Sequence, residues 1–504
     1  MSRNILIASL AAMTGVFAFA AGAGLTGSNG AACLVAAGAA ALVLLWVLRH
    51  PVPALSGKGR SSGVTIAATV AALAAFVQIS SLAVFMIDAT KSAYSSIPSS
   101  AWEVEHSCLS AYFVAAQAAP NVSNIYEDYL YSLPDDVAPG VRNPRKLGIF
   151  NVDVYEYPPP FLLLPRALLS LAPSFDSLRA LWFALNGGVL LLALWAAAQC
   201  MGPEAGRRAL LLSPLVWVAL PTISALQKGN VQVLMIAISM LAMVLFERRA
   251  WAAGGALLAF AIASKLFPGL LVVYLLARRR FRAVAWTAAF GLAYVLLTLV
   301  LLGWQPYAAF LDHLPGLIGG EAFPAFRRDS AMAINLSIPG LVFKLRLFGA
   351  KGLSFPAAKM VGWVYTFIAV GATIVAGLRP AREDRKPQVW LAILILATLR
   401  SPFLPQAYGA FPAFWLLTLL AATSLPSGGV LALTAASWAA LNVYWPTDWT
   451  IDSRLLAMAN GLPQAVMVLL TVLALRRNPG LPAIPLNESE ARRRMPQDVE
   501  ALVS

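Results

Sequence analysis

The amino-acid sequence predicts an all-α, polytopic membrane protein, with about twelve transmembrane spans, a re-entrant or broken segment, and extracytoplasmic loops carrying interfacial helices. Three observations carry this. Of 504 residues, 59% are apolar and 12% charged, and the mean hydropathy is +0.73, which leaves too little charge for a water-facing surface. Apolar runs of about twenty residues recur along the whole length. Between them Arg and Lys collect in short loops, so the net charge of +14 reads as a topology signal and not as affinity for nucleic acid.

Taken in order, the expected spans are roughly 4–23, 31–49, 64–87, 177–200, 207–225, 229–246, 281–303, 357–379, 387–405, 408–425, 428–446 and 459–476. The first run resembles a signal peptide, but with so many spans following it reads as a retained helix. Basic residues at Arg49, Lys58, Arg60, Arg207, Arg208, Arg248, Arg249, Arg382, Arg385, Lys386, Arg476 and Arg477 all fall on one side, which makes that side and both termini cytoplasmic. The stretch from Trp251 to Arg282 has basic residues at both ends and Lys265 and Pro268 in its middle. Its apolar length is too short to cross twice, so it is either a re-entrant hairpin broken at Lys265–Pro268, the favoured reading, or one crossing whose second basic cluster departs from the positive-inside pattern. The tail after Arg477, rich in Arg, Glu and Pro, reads as disordered. Cys33, Cys108 and Cys200 are odd in number and scattered, which favours neither a disulfide framework nor a metal site.

The opposite side carries three larger loops: Asp88 to Tyr157, with nine of the 23 acidic residues, Trp304 to Ser337, and Trp445 to Arg454. Polar groups at membrane depth are costly and mark cavities. "SALQKGNVQVL" places Gln227, Lys228 and Asn230 at an outer mouth, either as a helix cap or as an anion or sugar site. Lys265 is either a snorkelling lysine or a phosphate ligand. Arg400, in "TLRSPFLPQAYG", sits beside a Pro-broken helix end suited to phosphate, and Arg327 and Arg328 offer the same chemistry. The acid–base candidates are Glu105 with the adjacent His106, and Asp88 at the end of the third span. "SAYFVAAQAA" suits a short interfacial helix. No Walker motif, nucleotide-binding glycine loop, zincin helix or Ser-His-Asp order is present, so an enzyme here would draw on an activated substrate reaching it through the lipid.

Five stretches, in order, carry a resemblance. "SAYFVAAQAAPNVSNIY" looks like a Tyr-x-x-Ala-Ala helix, and "YEYPPPFLLLPRALL" like a Tyr-x-Pro-Pro stretch with a second proline. "LQKGNVQVLM" looks like Gly-Gln-x-Asn with an insertion or substitution, "SKLFPGLLVVYLLARRRFRA" like a Lys-x-x-Pro segment closed by basic residues, and "INLSIPGLVFKL" like Asn-x-Ser-x-x-Gly. The chain resembles the polyprenol-phosphate-sugar-dependent GT-C integral-membrane glycosyltransferases, in particular glycosyltransferase family 87, with its mannosyl- and arabinofuranosyltransferases. Relatives carry an aspartate four residues before the Tyr-x-x-Ala-Ala tyrosine as the expected base. Here Tyr112 puts Cys108 in that slot. Histidines common in relatives near Arg400 are replaced by Gln406, Ala407 and Tyr408.

The resemblance implies an inverting GT-C glycosyltransferase of a bacterial inner membrane, with both termini cytoplasmic and a periplasmic active site. It would take a polyprenyl-phosphate sugar as donor and a lipid or glycan as acceptor, with no cofactor, no metal and no nucleic acid. Glu105, or else Asp88 or His106, would act as base, and Lys228, Lys265, Arg327, Arg328 and Arg400 would grip the phosphate. Tyr112, Tyr155, Tyr157, Gln227, Asn230 and Asn335 would face sugar or acceptor. The Pro158–Pro160 corner fixes the chain's direction at the membrane edge, with Phe161–Leu171 expected either to line a groove for the lipid tail or to be purely structural. The expected divisions are two added spans over 1–63, a catalytic core over 64–409, C-terminal spans over 410–477 and the tail over 478–504. A secondary transporter, a polysaccharide polymerase or ligase, and a non-catalytic relative are the rival readings.

Overall fold

A computed structural model describes residues 2–49, 62–134, 142–379, 381–424, 427–446 and 448–476. The expected tail over 478–504 lies outside the described residues. The described residues are 76% helical, and the chain is a helical membrane protein. Every expected span falls on helix, but among the described residues only seven helices are long and apolar enough to cross a bilayer by themselves, or eight if the bent pair Pro203–Trp217 and Leu220–Gln227 is one span. The count of twelve is therefore not reached by length and composition.

The difference follows from where the helices stand. Phe281–Leu302 and Phe355–Leu378 are long and turn apolar side chains outward, among them Val300 at 81% and Phe367 at 74% exposure, as lipid-facing helices do. Gln232–Glu247, Lys386–Leu399 and Phe411–Thr423 are apolar on all sides and almost wholly buried by their neighbours. They are also short, at 16, 14 and 13 residues. The N-terminal Ser2–Thr26 helix is built into the same core, with Phe17 packed on Phe183 and Trp217.

Lys265 and Leu266 break the predicted hairpin. Trp251–Ser264 rises, and Phe267–Ala277 returns. The direction is fixed by contacts: Gly255 lies against Trp286, and Phe260 against Tyr294 with ring centroids 5.5 Å apart, so Trp251–Ser264 runs parallel to Phe281–Leu302. At the basic end Glu247 pairs with Arg280 at 3.5 Å and Lys386 at 2.5 Å, bringing three basic loops to one end of the bundle.

The three larger loops meet at the other end. Asp448 accepts hydrogen bonds from Ser100 Oγ at 2.7 Å and Trp102 N–H at 3.1 Å, and Glu156 faces His313 at 3.3 Å. The stretch expected to form a short interfacial helix is the helix Cys108–Ala118, and most of its residues are buried against the rest of the protein. A small sheet that the all-α reading missed underlies it: β1 (His106–Ser107) pairs parallel with β3 (Phe150–Val152), which pairs antiparallel with β2 (Lys146–Leu147).

Candidate active site

A cavity of about 820 Å³ opens where the loops meet the helix ends. Its polar part is built by the sheet. Pairing His106 with Asn151 and Ser107 with Val152 sets Asp153, the next residue, beside His106 and Cys108. His106 Nε2 stands 3.8 Å from Asp153 Oδ2 and 3.7 Å from Cys108 Sγ, and all three side chains line the cavity. The Val154 N–H donates to Asp153 Oδ1 at 2.9 Å, leaving Oδ2 turned toward His106. Arg179 holds the strand from behind: its guanidinium lies over the rings of Phe85 and Phe150 and donates to the Phe85 carbonyl at 3.0 Å.

Asp153 was not among the sequence candidates. Its signal is the alternation in "FNVDVYEY", a period of two that puts Phe150 and Val152 on the buried face and Asn151 and Asp153 on the other. The predicted carboxylates stand elsewhere. Glu105 pairs with Lys146 at 2.8 Å, accepts from Asn151 Nδ2 at 3.2 Å, and is not part of the cavity wall. Asp88 turns back on its own chain, accepting from Thr90 N–H at 3.0 Å and Thr90 Oγ1 at 2.6 Å. Those bonds hold its carboxyl below the usual range. His106 is at the site, stacked on Trp102 with centroids 4.2 Å apart, and burial keeps its imidazole below the ordinary value, in the neutral form.

The predicted phosphate ligands divide. Lys228 reaches the cavity, but its charge is already matched by Glu103 at 2.6 Å. Burial would push the Glu103 carboxyl up. Lys228 and hydrogen bonds from Lys228, Tyr444 and Ser224 overcome that and hold it low. Lys265 lines the cavity with its ammonium 5.6 Å from the centre of the Tyr157 ring and has no ion-pair partner among the described residues. Arg400 also lines it, its Nε donating to Thr366 Oγ1 at 2.7 Å and its guanidinium lying against Gly362 and 5.9 Å from the centre of the Trp363 ring. Arg328 is exposed at the wall. The side chain of Arg327 lies outside the described residues.

Of the predicted sugar contacts, Tyr112, Tyr157 and Asn230 line the cavity, with the Tyr112 hydroxyl donating to that of Tyr157 at 3.1 Å. Tyr155 is buried behind the wall and donates to the Pro158 carbonyl. Gln227 is consumed by backbone, donating to the Glu103 carbonyl at 2.6 Å and accepting from Ser96 N–H at 2.5 Å. Gly229 turns the chain after it with φ +64°. A Cβ there would come within 2.9 Å of Leu109.

Asn335 is likewise structural. Its carbonyl oxygen accepts from Ser337 and Leu404 N–H groups, while its amide donates to the Pro402 carbonyl at 2.9 Å. Ser337 Oγ accepts from Gly340 N–H at 2.9 Å and donates to the same carbonyl, and a Cβ on Gly340 would collide with Asn335. The Asn-x-Ser-x-x-Gly stretch is thus a clamp that seats the Arg400–Pro405 loop at the cavity.

The other wall is apolar, formed by Leu266, Phe267, Leu270, Phe310, Leu314 and Leu317. None of Phe161–Leu171, the expected groove lining, takes part. Phe161 is fully buried against Tyr112, and Arg166 ties the helix to the Ala116 carbonyl at 3.0 Å. The Pro corner therefore serves as a brace for the Cys108–Ala118 helix.

Residues 155–402 match the model of Glycosyltransferase family 87. Among curated proteins and among solved structures, nothing matches the chain. The matched stretch takes in the Pro corner, the hairpin, the Asn335 clamp and Arg400, and supports a membrane glycosyltransferase in general terms.

Proposed function

From the family 87 match as premise, we propose that the cavity transfers a sugar from a polyprenyl-phosphate donor to a lipid or glycan hydroxyl on the periplasmic side, with inversion at the anomeric carbon. The observation that carries this reading is one cavity joining a carboxylate, Asp153, to two cations without carboxylate partners among the described residues, Lys265 and Arg400, along an apolar wall. That combination suits a substrate with a charged phosphate between a sugar and a greasy tail.

Asp153 is the base of this account in place of Glu105 and Asp88, because a base must reach the acceptor hydroxyl from inside the cavity. Its carboxylate takes the hydroxyl proton, and the acceptor oxygen attacks the anomeric carbon from the face opposite the phosphate. The bond from that carbon to the phosphate oxygen breaks, and polyprenyl phosphate leaves with its negative charge held by Lys265, Arg400 and Arg328. Neutral His106 orients Asp153 and the hydroxyl. Tyr112, Tyr157 and Asn230 contact the sugar, and the wall from Leu266 to Leu317 takes the first isoprene units.

The test is to supply reconstituted protein with short-chain polyprenyl-phosphate hexoses and pentoses plus a membrane lipid extract as acceptor. Release of polyprenyl phosphate coupled to a glycosylated product is expected for one donor. Binding without turnover of any such donor would overturn the reading.

A further inference from the structure

We propose that His106, Cys108 and Asp153 form a binding site for a thiophilic divalent cation of the Zn²⁺ class. The three offer one nitrogen, one sulfur and one oxygen, all lying within 4.8 Å of one another. A tetrahedral zinc with ordinary bond lengths needs ligand-to-ligand edges of about 3.4–3.6 Å. The His106–Cys108 and His106–Asp153 edges are 3.7 and 3.8 Å and the Cys108–Asp153 edge is within 4.8 Å, so side-chain rotations that draw the three together close the set.

The surroundings fit a cation as well. Thiolate, carboxylate and neutral imidazole balance the charge of a divalent ion, so a half-buried site ends up neutral. Asn230 Nδ2 donates to Cys108 Sγ at 3.3 Å, and Trp102 stacks on the His106 ring, so both soft ligands are oriented from behind. All three ligands line the cavity, which leaves the fourth position open to it. Binding displaces the Cys108 thiol proton to solvent as the metal–sulfur bond forms. The cation takes the Asp153 carboxylate, so an occupied site is an inhibited one; that consequence rests on Asp153 being the base.

Cobalt(II) chloride titrated into the full-length tag-free protein in detergent tests the site. A thiolate-to-cobalt charge-transfer band saturating at one ion per chain is expected, and Zn²⁺ should bleach it. The Cys33→Ser/Cys200→Ser protein, in which Cys108 is the remaining thiol, should keep the band, and Cys108→Ser should lose it. No band in the unmutated protein, loss in the double variant, or persistence in Cys108→Ser would overturn the site. Zinc that binds there without slowing transfer would leave the site standing and overturn Asp153 as base.

Discussion

Lys228 Nζ lies 2.6 Å from Glu103 Oε1, with both side chains almost fully buried and Tyr444 hydrogen-bonded to the pair. Glu103 belongs to the first outer loop, Lys228 to the turn after a broken helix, and Tyr444 directly precedes the third loop. The pair is therefore the bolt that holds the roof of the cavity to the bundle. Removing one partner strands a buried charge, at a cost of roughly 3–5 kcal/mol.

Glu103→Gln and Lys228→Met should each lower the melting temperature in detergent sharply. The double replacement should be milder than the sum, because it leaves no stranded charge. Additive losses in a thermal-shift series would show that the two groups are not coupled.

Acid should loosen the same roof. The folded protein holds His106 below its ordinary value of 6.5, so the unfolded chain takes up this proton first as pH falls. The stability His106 contributes is present above 6.5 and is lost as pH drops toward its folded value. Glu103, also lowered, adds the same sign further down, while Glu156, raised by burial, acts in the opposite sense. Melting temperature should fall between about pH 7 and pH 5, and His106→Gln should flatten that slope. An unchanged slope in the variant would place the titration elsewhere.

Much of this arrangement can be read from residue patterns alone. Apolar run lengths locate the long helices, though not Gln305–Gly319, which reads as outer loop, and the basic clusters at Arg248–Arg249 and Arg278–Arg280 call for the hairpin that Glu247 closes in the structure. The site is less legible. Glu103 and Glu105 are two residues apart and chemically alike, yet partners 121 to 341 positions away bury one and leave the other outside. Asp153 depends on a short strand pairing that membrane-scale hydropathy does not detect. Asn335 and Gln227 look like ligands because they are polar in an apolar setting, but backbone groups use up their hydrogen bonds.

Lys265→Met and Arg400→Met should each weaken binding of a polyprenyl-phosphate sugar by roughly 1.5–3 kcal/mol, the range for a hydrogen bond to a charged group. Lys228→Met should affect folding before affinity. Equal donor affinity in both well-folded cavity variants, measured by titration in nanodiscs, would remove them from the phosphate grip.

Exposed Ser99 and Ser123 report on the side of the membrane. Cysteines placed there in a background lacking the native three should react with an impermeant maleimide in intact spheroplasts. Labelling only after permeabilisation would move the cavity to the cytoplasmic face.

The most direct measurement compares Asp153→Asn with Glu105→Gln in single-turnover sugar transfer, alongside donor binding for each. The amide keeps the shape of Asp153 but cannot accept the hydroxyl proton, so transfer should fall by about 10²–10⁴-fold with donor affinity retained. Glu105→Gln should stay near the unmutated rate, since it loses only an ion pair to Lys146 outside the cavity. Full activity in Asp153→Asn together with a dead Glu105→Gln would contradict the account.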